Sequence, residues 1–313
     1  MNLSEEERDA FSGTSVGQWN TVLTTYYILI FIIAVPGNAL ALWAFFHQKN
    51  TSPTKVFLSS LSVADISYIL ILPMRIGYHL SDQRWPFGDV LCRLSGFLFY
   101  LNMYCSLYLM SFISLDRFVA VVLPIKSQSI RKPKYAKVAV VILWVIIIVS
   151  MSPTLSLRKT RTVSPGICNN LYLEKTSSAA LISTIVAFAI PLAVITVCYT
   201  LILLKLRTLD QHEERPVKDK AIKMIILVLM NFLLAFVPYH VCRVIYIKMY
   251  APGLTNGPPE PLVRANQITS ALTCVSGVLD PVMYFFLNRA YRNQLLQLFC
   301  RKQETNLQSH LIG

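Results

Sequence analysis

The sequence predicts an all-α membrane protein: a bundle of seven transmembrane helices, followed by a short amphipathic eighth helix. Two observations support this prediction. The 313 residues are 54% hydrophobic and 14% charged, with a mean hydropathy of +0.52, which is too apolar for a soluble globular chain. The chain also contains seven apolar stretches of about 20 residues or more, the length that crosses a bilayer as a helix.

These stretches follow one another and leave no room for a separate soluble domain. Several contain proline, which a membrane helix tolerates because neighbouring helices satisfy the freed carbonyl group. The prolines predict kinks, and Pro238 in the sixth stretch is the candidate pivot. The predicted spans are Thr21 to Phe46, Lys55 to Leu80, Val90 to Val122, Tyr135 to Leu157, Ser178 to Leu206, Ala221 to Tyr250 and Leu262 to Leu287.

The charges of the connecting segments predict an extracellular amino terminus and a cytosolic carboxyl terminus. The segment before the first span carries four acidic residues and one arginine, whereas the segment after the third span is basic with no acid. Positive residues accumulate on the cytosolic side of membrane proteins. We therefore assign residues 1–20 to an extracellular tail, 21–288 to the transmembrane domain, 289–300 to the eighth helix and 301–313 to a cytosolic tail.

Basic residues also occur on the outer half, where this rule predicts no excess. Arg75 and Arg243 are the clearest cases, because each lies within an apolar stretch. A buried guanidinium group needs an acceptor, either an anionic ligand or a local carboxylate. The candidate carboxylates are Asp82, Asp89 and Glu260, and for the two arginines together we favour the ligand.

The cysteines divide by location. Four lie in apolar spans, where a free thiol packs as a small hydrophobic residue. Cys92 and Cys168 are the two on the oxidising side, so we expect a disulfide between them. Cys300 ends the amphipathic segment after the seventh span, which suits an interfacial helix with a palmitoylated end. Asn2 begins an Asn-Leu-Ser glycosylation sequon on the outer side.

Carboxylates occur inside the apolar spans, where a lipid-facing charge is energetically unfavourable. Asp65 lies in the second span and Asp280 in the seventh, and the pair Asp116-Arg117 closes the third. These groups must face the interior of the bundle. Such a pattern indicates a functional membrane protein rather than a simple anchor.

Each span carries a short motif at compatible spacing. The motifs are Gly37-Asn38, Leu61-Ser62-Val63-Ala64-Asp65, Asp116-Arg117-Phe118, Trp144, Pro191 with Tyr199, Phe236-Val237-Pro238-Tyr239, and Asp280-Pro281-Val282-Met283-Tyr284. Any one motif is weak, but the ordered set resembles the rhodopsin-like G-protein-coupled receptors. The resemblance implies a plasma-membrane receptor that is not an enzyme. Its implied partners are a heterotrimeric G protein and arrestin, with no nucleic acid.

A polar set is expected to face the bundle axis near mid-membrane. Two carboxylates brought close together must share a proton, a cation or water. The family resemblance implies a sodium ion as an allosteric ligand, and no other cofactor. The alternative is a hydrated hydrogen-bond network without an ion. The members of the set are Asp65, Asn102, Ser106, Ser276 and Asp280.

Arg117 can pair with Asp116 at rest and turn toward a partner when the bundle opens. The resemblance implies that this is the coupling switch. Many relatives hold this arginine with a carboxylate at the foot of the sixth span, where this chain has a lysine within 216–220. We therefore expect no strong ionic latch and a raised basal signal. The predicted switch residues are Asp116, Arg117, Tyr199, Phe236, Pro238 and Tyr284.

The outer halves of the second, third and sixth spans resemble the purinergic branch of this family, which includes nucleotide, cysteinyl leukotriene and lysophospholipid receptors. The branch implies an anionic mediator, such as a uracil nucleotide or a cysteinyl leukotriene, and an inhibitory G protein. His240 and Arg243 share one helix face, which would direct two donors toward phosphate or carboxylate. The predicted ligand-binding residues are Arg75, Tyr78, Phe99, Tyr100, Tyr104, Tyr239, His240, Arg243 and Gln267.

Other ligands and other classes of protein are alternatives to this interpretation. Nucleotide receptors of the branch often carry two further arginines, at positions where this chain has Gly96 and Ser270. A lysophospholipid or another anionic lipid is therefore an alternative ligand. An ion-coupled transporter also buries acids and prolines, but the chain shows no repeated halves. A membrane enzyme is disfavoured because the histidines are scattered.

Overall fold

The computed structural model describes residues 5–48, 51–155, 166, 168, 171–172, 177–207, 215–249, 259–288 and 291–297, with the backbone alone for 5–16, 215–218 and 220. Every regular element in these ranges is a helix. The predicted glycosylation site Asn2, the predicted palmitoylation site Cys300 and the tail 301–313 lie outside the described residues. The predictions for them remain predictions.

Seven helices in the described ranges are long and apolar enough to cross a membrane, which confirms the predicted fold. The first lies within a helix that begins at Glu5, earlier than the predicted start at Thr21. A further helix over 291–297 lies within the predicted eighth helix. The spans are Gly17–His47, Pro53–Leu80, Gly88–Val122, Pro133–Leu155, Ser178–Arg207, Ala221–Met249 and Glu260–Leu287.

Proline interrupts the hydrogen-bond ladder of two spans. The second span is Pro53–Ile69 followed by Leu72–Leu80, because Pro73 has no N–H to donate to the carbonyl group four residues earlier. The sixth span contains a π turn, Phe232–Phe236, between the helices Arg215–Asn231 and Val237–Met249. Pro238 lies just after this turn. The predicted pivot therefore coincides with a local widening of the helix, a feature common at functional sites.

Short elements complete the described fold. The helix Pro124–Ile130 connects the third and fourth spans. The fourth span is Pro133–Met151 with a 3₁₀ turn, Ser152–Leu155, and the seventh is Glu260–Leu272, a 3₁₀ turn, Thr273–Val275, and Ser276–Leu287. Tyr291, in the helix after the seventh span, is 2% exposed. Its burial raises the pKa of its phenol, so the ring packs as a neutral group.

The third span, Gly88–Val122, forms the axis of the bundle. Residues 101–107 are buried without interruption, because other spans surround this helix on every side. The fourth and fifth spans instead expose large apolar side chains such as Val141 and Val186, at 61% and 51%. In a membrane these side chains contact lipid. The protein core therefore lies around the third span, where the predicted functional residues also lie.

The first and seventh spans meet at a joint that explains two of the sequence motifs. Pro281 has no N–H, so the Gly277 carbonyl loses its donor within the helix. The Asn38 side chain supplies one, with its Nδ2 atom 2.8 Å from that carbonyl oxygen. Gly37 permits the close approach, because a Cβ atom there would lie 3.0 Å from Pro281 Cγ. Gly37-Asn38 and the proline of the seventh span therefore form one structural unit.

Replacing Asn38 with Ala should destabilise the bundle by about 1–3 kcal/mol, because the buried Gly277 carbonyl loses its donor. We expect the thermal midpoint of the purified protein in detergent to fall by about 2–6 °C. Asn293→Ala on the exposed face of the last described helix is the matched control and should leave the midpoint unchanged. Equal midpoints for the two variants would show that the Asn38 contact contributes nothing.

Candidate functional site

The predicted disulfide between Cys92 and Cys168 is present, and it fixes part of the loop between the fourth and fifth spans over the mouth of the bundle. Leu171 and Tyr172 follow it in the loop and are 1% and 5% exposed. Trp85 packs in one hydrophobic cluster with the disulfide, Leu171 and Tyr172. The described part of this loop therefore enters the bundle mouth rather than lying in solvent.

Arg75 is fully buried under this loop. Its Nη2 atom donates to the Leu171 carbonyl oxygen at 3.0 Å, and its Nη1 atom donates to the Tyr27 hydroxyl at 3.2 Å. The guanidinium carbon lies 4.8 Å from the centre of the Phe99 ring and 5.0 Å from that of Tyr172. Aromatic faces and two oxygen acceptors thus stabilise this cation.

Among the described residues, no carboxylate pairs with Arg75. The three carboxylates considered from the sequence have other partners: Asp89 pairs with Arg93 at 2.7 Å, Glu260 pairs with Arg264 at 2.5 Å, and Asp82 accepts from Asn20 at 3.4 Å. The Arg75 Nε atom is buried without a hydrogen-bond partner. This arginine therefore retains capacity for a further acceptor.

A directed chain of hydrogen bonds extends from Arg75 across the mouth. Arg75 donates to Tyr27, the Tyr27 and Tyr172 hydroxyls lie 3.3 Å apart, and Tyr172 lies 2.6 Å from His79 Nε2. His79 Nδ1 lies 3.2 Å from Asn20 Oδ1, an acceptor, so Nδ1 carries the proton and Nε2 accepts from Tyr172. Burial raises the pKa of Tyr172, which keeps this hydroxyl protonated. Sequence reasoning missed His79, although its position four residues after Arg75 places both on one helix face.

Arg243 is the second buried arginine in the half of the bundle that contains the disulfide, at 3% exposure. Its guanidinium carbon lies 5.6 Å from the centre of the Tyr246 ring. Tyr239, one helical turn earlier, contacts Phe99 with ring centres 5.6 Å apart. Because Phe99 also contacts Arg75, the Phe99 and Tyr239 rings join the helix that carries Arg243 to the surroundings of Arg75.

His240 was predicted to donate toward the ligand together with Arg243, but the structure directs its donor elsewhere. Its Nδ1 atom lies 2.8 Å from the Phe236 carbonyl oxygen, which only accepts, so this donor is directed to its own helix. In the neutral ring Nε2 is then an acceptor. The ring stacks on Phe188, with centres 4.3 Å apart, and contacts Tyr104 at 6.3 Å. Arg243 remains the cationic donor of this face, and His240 forms part of the aromatic wall.

The remaining predicted ligand residues lie in three places. Tyr100 and Tyr104 stack on each other, with ring centres 5.9 Å apart, and join the aromatic wall of the third span. Tyr78 packs in the cluster around the disulfide. Gln267 accepts a hydrogen bond from Trp19 Nε1 at 2.7 Å, which places it at the interface with the first span.

A polar network crosses the middle of the bundle. Asn102 Nδ2 donates to Asp65 Oδ1 at 3.2 Å and lies 3.4 Å from the Ser106 hydroxyl oxygen. The Tyr284 hydroxyl donates to Asp65 Oδ2 at 3.4 Å. Asp280 Oδ1 accepts from Asn231 Nδ2 at 2.5 Å. The two buried carboxylates are thus held by three different spans, as the sequence predicted for groups facing the bundle axis.

This network contains unused oxygen atoms and a small cavity. Asp280 Oδ2 is buried without a hydrogen-bond partner among the described residues. A cavity of about 10 Å³, close to the volume that one water needs, is lined by Asp65, Asn102 and Ser276 among other residues. The Ser276 hydroxyl donates to the carbonyl of Thr273 at 2.8 Å, which leaves its oxygen lone pairs available. The site fits a small species that is attracted by carboxylate oxygens.

Asp116 is the centre of the contacts at the end of the bundle opposite the disulfide. It pairs with Arg117 at 2.8 Å, and Arg131 donates to both of its carboxylate oxygens, at 2.7 and 3.1 Å. The Thr54 hydroxyl donates to Asp116 at 2.8 Å and also accepts from Arg117. Within the described side chains, Asp116 is the acid that pairs with Arg117. In the sequence, Arg131 served only as one of the positive charges that predict the cytosolic side. The residues around it in the sequence do not indicate that its side chain reaches the third span.

The hydroxyl groups of the two predicted tyrosines of the switch have hydrogen-bond partners other than Arg117 in this arrangement. The Tyr199 hydroxyl accepts from Ser114 at 2.9 Å, and Tyr284 is directed to Asp65. Phe236 is fully buried at the end of the π turn. The structure thus shows Arg117 held by Asp116 and Thr54, the state that was predicted for a resting bundle.

Comparison with known proteins identifies the family. The family described as 7 transmembrane receptor (rhodopsin family) matches residues 37–284. The chain is 46% identical over 287 residues to the uracil nucleotide/cysteinyl leukotriene receptor of Homo sapiens, with 91% of this chain and 78% of that protein covered. It is 33% identical over 301 residues to a purinoceptor of Mus musculus, with 92% and 80% covered. These matches confirm the resemblance drawn from the motifs, and the chain therefore belongs to the rhodopsin family of seven-transmembrane receptors, which are not enzymes.

Proposed function

We propose that this receptor lies in the plasma membrane, binds an anionic mediator on its outer face and activates a heterotrimeric G protein of the inhibitory type at its inner face. The mediator is a uracil nucleotide or a cysteinyl leukotriene, the ligands in the name of the relative with 46% identity. Its amino terminus is outside and its carboxyl terminus is in the cytosol. Arrestin shares the inner face with the G protein.

The main support for this proposal is that the buried charges in the outer half of the bundle are positive. Among the described residues, the buried side chains with a formal charge in the outer half are Arg75 and Arg243, whereas Asp65, Asp116 and Asp280 lie in the middle and inner parts. Burying guanidinium groups is unfavourable unless an acceptor stabilises them. Phosphate and carboxylate groups match the planar donors of arginine. The aromatic wall beside Arg243 suits a base or a lipid chain.

The ligand acts on the sixth span. Arg243 lies on the segment that follows the π turn, and Asn231, just before that turn, donates to Asp280 at 2.5 Å. A mediator that draws Arg243 toward Arg75 tilts the outer segment about Pro238 and loosens the Asn231 contact. At the inner end Arg117 then leaves Asp116 and Thr54 for the G protein. Tyr199 and Tyr284 turn toward the displaced arginine and stabilise it.

A sodium ion regulates the same network. Sodium prefers oxygen ligands, which Asp65, Asp280, Ser106, Ser276 and the side-chain oxygen of Asn102 supply. The unpartnered Asp280 Oδ2 atom and the cavity beside Asp65 support this assignment. When bound, the cation compensates the two buried carboxylates and favours the resting arrangement.

An anionic lipid such as a lysophospholipid is the second candidate mediator. Gly96 and Ser270 stand where nucleotide receptors of the branch often have arginine, and both are buried here without charge. Two fewer cations weaken the binding of a diphosphate more than that of a headgroup with one phosphate, because the diphosphate carries more negative charge. The aromatic wall would then contact the acyl chain.

The deciding experiment is nucleotide exchange on purified G proteins. The full chain is reconstituted in vesicles with an inhibitory heterotrimer, and uridine diphosphate, a cysteinyl leukotriene and a lysophosphatidic acid are added separately. We expect one of the first two probes to accelerate exchange, above a basal rate that already exceeds that of receptor-free vesicles. A response to the lysophosphatidic acid alone would select the lipid alternative. Failure of all three probes with every class of heterotrimer, together with an unchanged basal rate in Arg117→Ala, would refute the proposal.

A further inference from the structure

A groove on the lipid-facing surface of the bundle lies apart from the ligand and G-protein sites. It has a volume of about 590 Å³ and runs between the first, second and fourth spans. Its walls are mainly apolar. Trp144 is fixed in one wall, because its Nε1 atom donates to the Ser60 hydroxyl at 2.8 Å. The volume is sufficient for part of a lipid molecule.

One end of the groove is positively charged. Lys55 and Lys137 line it, and none of the lining residues is acidic. Lys55 Nζ donates to the Gln48 carbonyl oxygen at 2.7 Å, which holds the ammonium group at this end. The two lysines repel each other. An anion between them relieves this repulsion and gains two attractive interactions.

The charged end lies at the depth of the inner switch. Thr54, the residue before Lys55, contacts both Asp116 and Arg117. This inference depends on the proposed function, in which the carboxyl terminus is cytosolic. In that orientation the charged end of the groove lies in the cytosolic leaflet, where anionic phospholipids are concentrated. Phe46 and Val141 in the groove are 81% and 61% exposed, so this face contacts the bilayer.

We propose that the groove binds an anionic phospholipid of the cytosolic leaflet. The headgroup phosphate lies between Lys55 and Lys137, and an acyl chain follows the apolar wall past Val141 toward Trp144. Charge complementarity selects this occupant over a neutral sterol or phosphatidylcholine, because only an anion compensates the two lysines. Basic pockets between transmembrane helices on the cytosolic side are known to bind lipid headgroups of this kind.

Native mass spectrometry of the full chain tests this proposal. The purified protein is mixed with equal amounts of dioleoyl phosphatidylserine and dioleoyl phosphatidylcholine, which differ only in the headgroup, and with cholesterol in a parallel sample. We expect phosphatidylserine to be retained at least about tenfold more than phosphatidylcholine, and Lys55→Gln and Lys137→Gln each to reduce its retention about fivefold. Lys137 is exposed, so its replacement leaves no buried gap.

Matched controls separate this groove from general attraction to basic surfaces. Lys134→Gln removes an exposed lysine one turn from Lys137 that does not line the groove, and it should leave retention unchanged. Val141→Trp fills the groove and should reduce retention, whereas Val138→Trp on the same exposed helix surface should not. Equal retention of the two phospholipids, preferred retention of cholesterol, or equal effects of Lys134→Gln and Lys137→Gln would overturn the proposal. Because no mediator or G protein is present, nucleotide exchange can succeed while this inference fails, and the reverse.

Discussion

Arg243→Ala should raise the agonist concentration for half-maximal nucleotide exchange by about 10- to 100-fold, because a hydrogen bond between charged groups contributes about 1.5–3 kcal/mol. Arg243 is 3% exposed, and its guanidinium carbon lies 5.6 Å from the centre of the Tyr246 ring. Tyr239, one turn earlier in the same helix, contacts the Phe99 ring on which Arg75 packs. Uridine diphosphate and a cysteinyl leukotriene are the probes, and surface expression is measured in parallel. The maximal response should be retained, since the variant keeps the inner switch intact.

Two further variants sharpen this result. Arg243→Lys keeps the charge but loses the planar donors, so we expect an intermediate shift. Arg264→Ala removes an arginine that is paired with Glu260 at the rim, and it should leave potency unchanged. Unaltered potency in Arg243→Ala at normal expression would remove this residue from the binding site. A shift of equal size in Arg264→Ala would indicate a general loss of positive charge rather than direct contact.

The architecture was predictable from the sequence because its causes are local. Hydropathy and length mark each span, and Pro73 and Pro238 mark the interruptions of the second and sixth. The earlier start of the first helix, at Glu5, was not predictable from hydropathy. That segment is polar, and hydropathy records lipid contact rather than helix formation.

The candidate site was predictable only in part, because its contacts join residues far apart in the sequence. Arg75 was identified as a buried cation, but its contact with the Leu171 carbonyl depends on where the disulfide places the loop. His240 was predicted as a donor toward the ligand, yet its proton is directed to Phe236, because that carbonyl lies one turn away in the same helix. The bond from Arg131 to Asp116 likewise depends on the path of a connecting segment.

Asp65→Asn should abolish the effect of sodium on this receptor. In the wild type, about 150 mM sodium should weaken agonist potency about fivefold or more relative to N-methylglucamine at equal ionic strength, as expected for coupling of about 1 kcal/mol or more between two sites. The variant loses one carboxylate of the pair, so the ratio of potencies should fall to about one. Asp65 is buried and bonded to Asn102 and Tyr284, and Asn can keep this packing because it has the same shape.

A second readout does not depend on agonist or G protein. An ion that binds the folded resting bundle stabilises it, so sodium should raise the thermal midpoint of the wild type but not of Asp65→Asn. Asp82→Asn, a change outside the network, is the control and should keep the full sodium response. Sodium sensitivity that persists unchanged in Asp65→Asn by both readouts would show that sodium does not act through Asp65 and would refute an ion in this network. If the response disappears in Asp65→Asn as expected, Asp280→Asn tests the second carboxylate. Loss of the response in this variant as well would indicate that Asp280 also binds the cation, through its unpartnered Oδ2 atom.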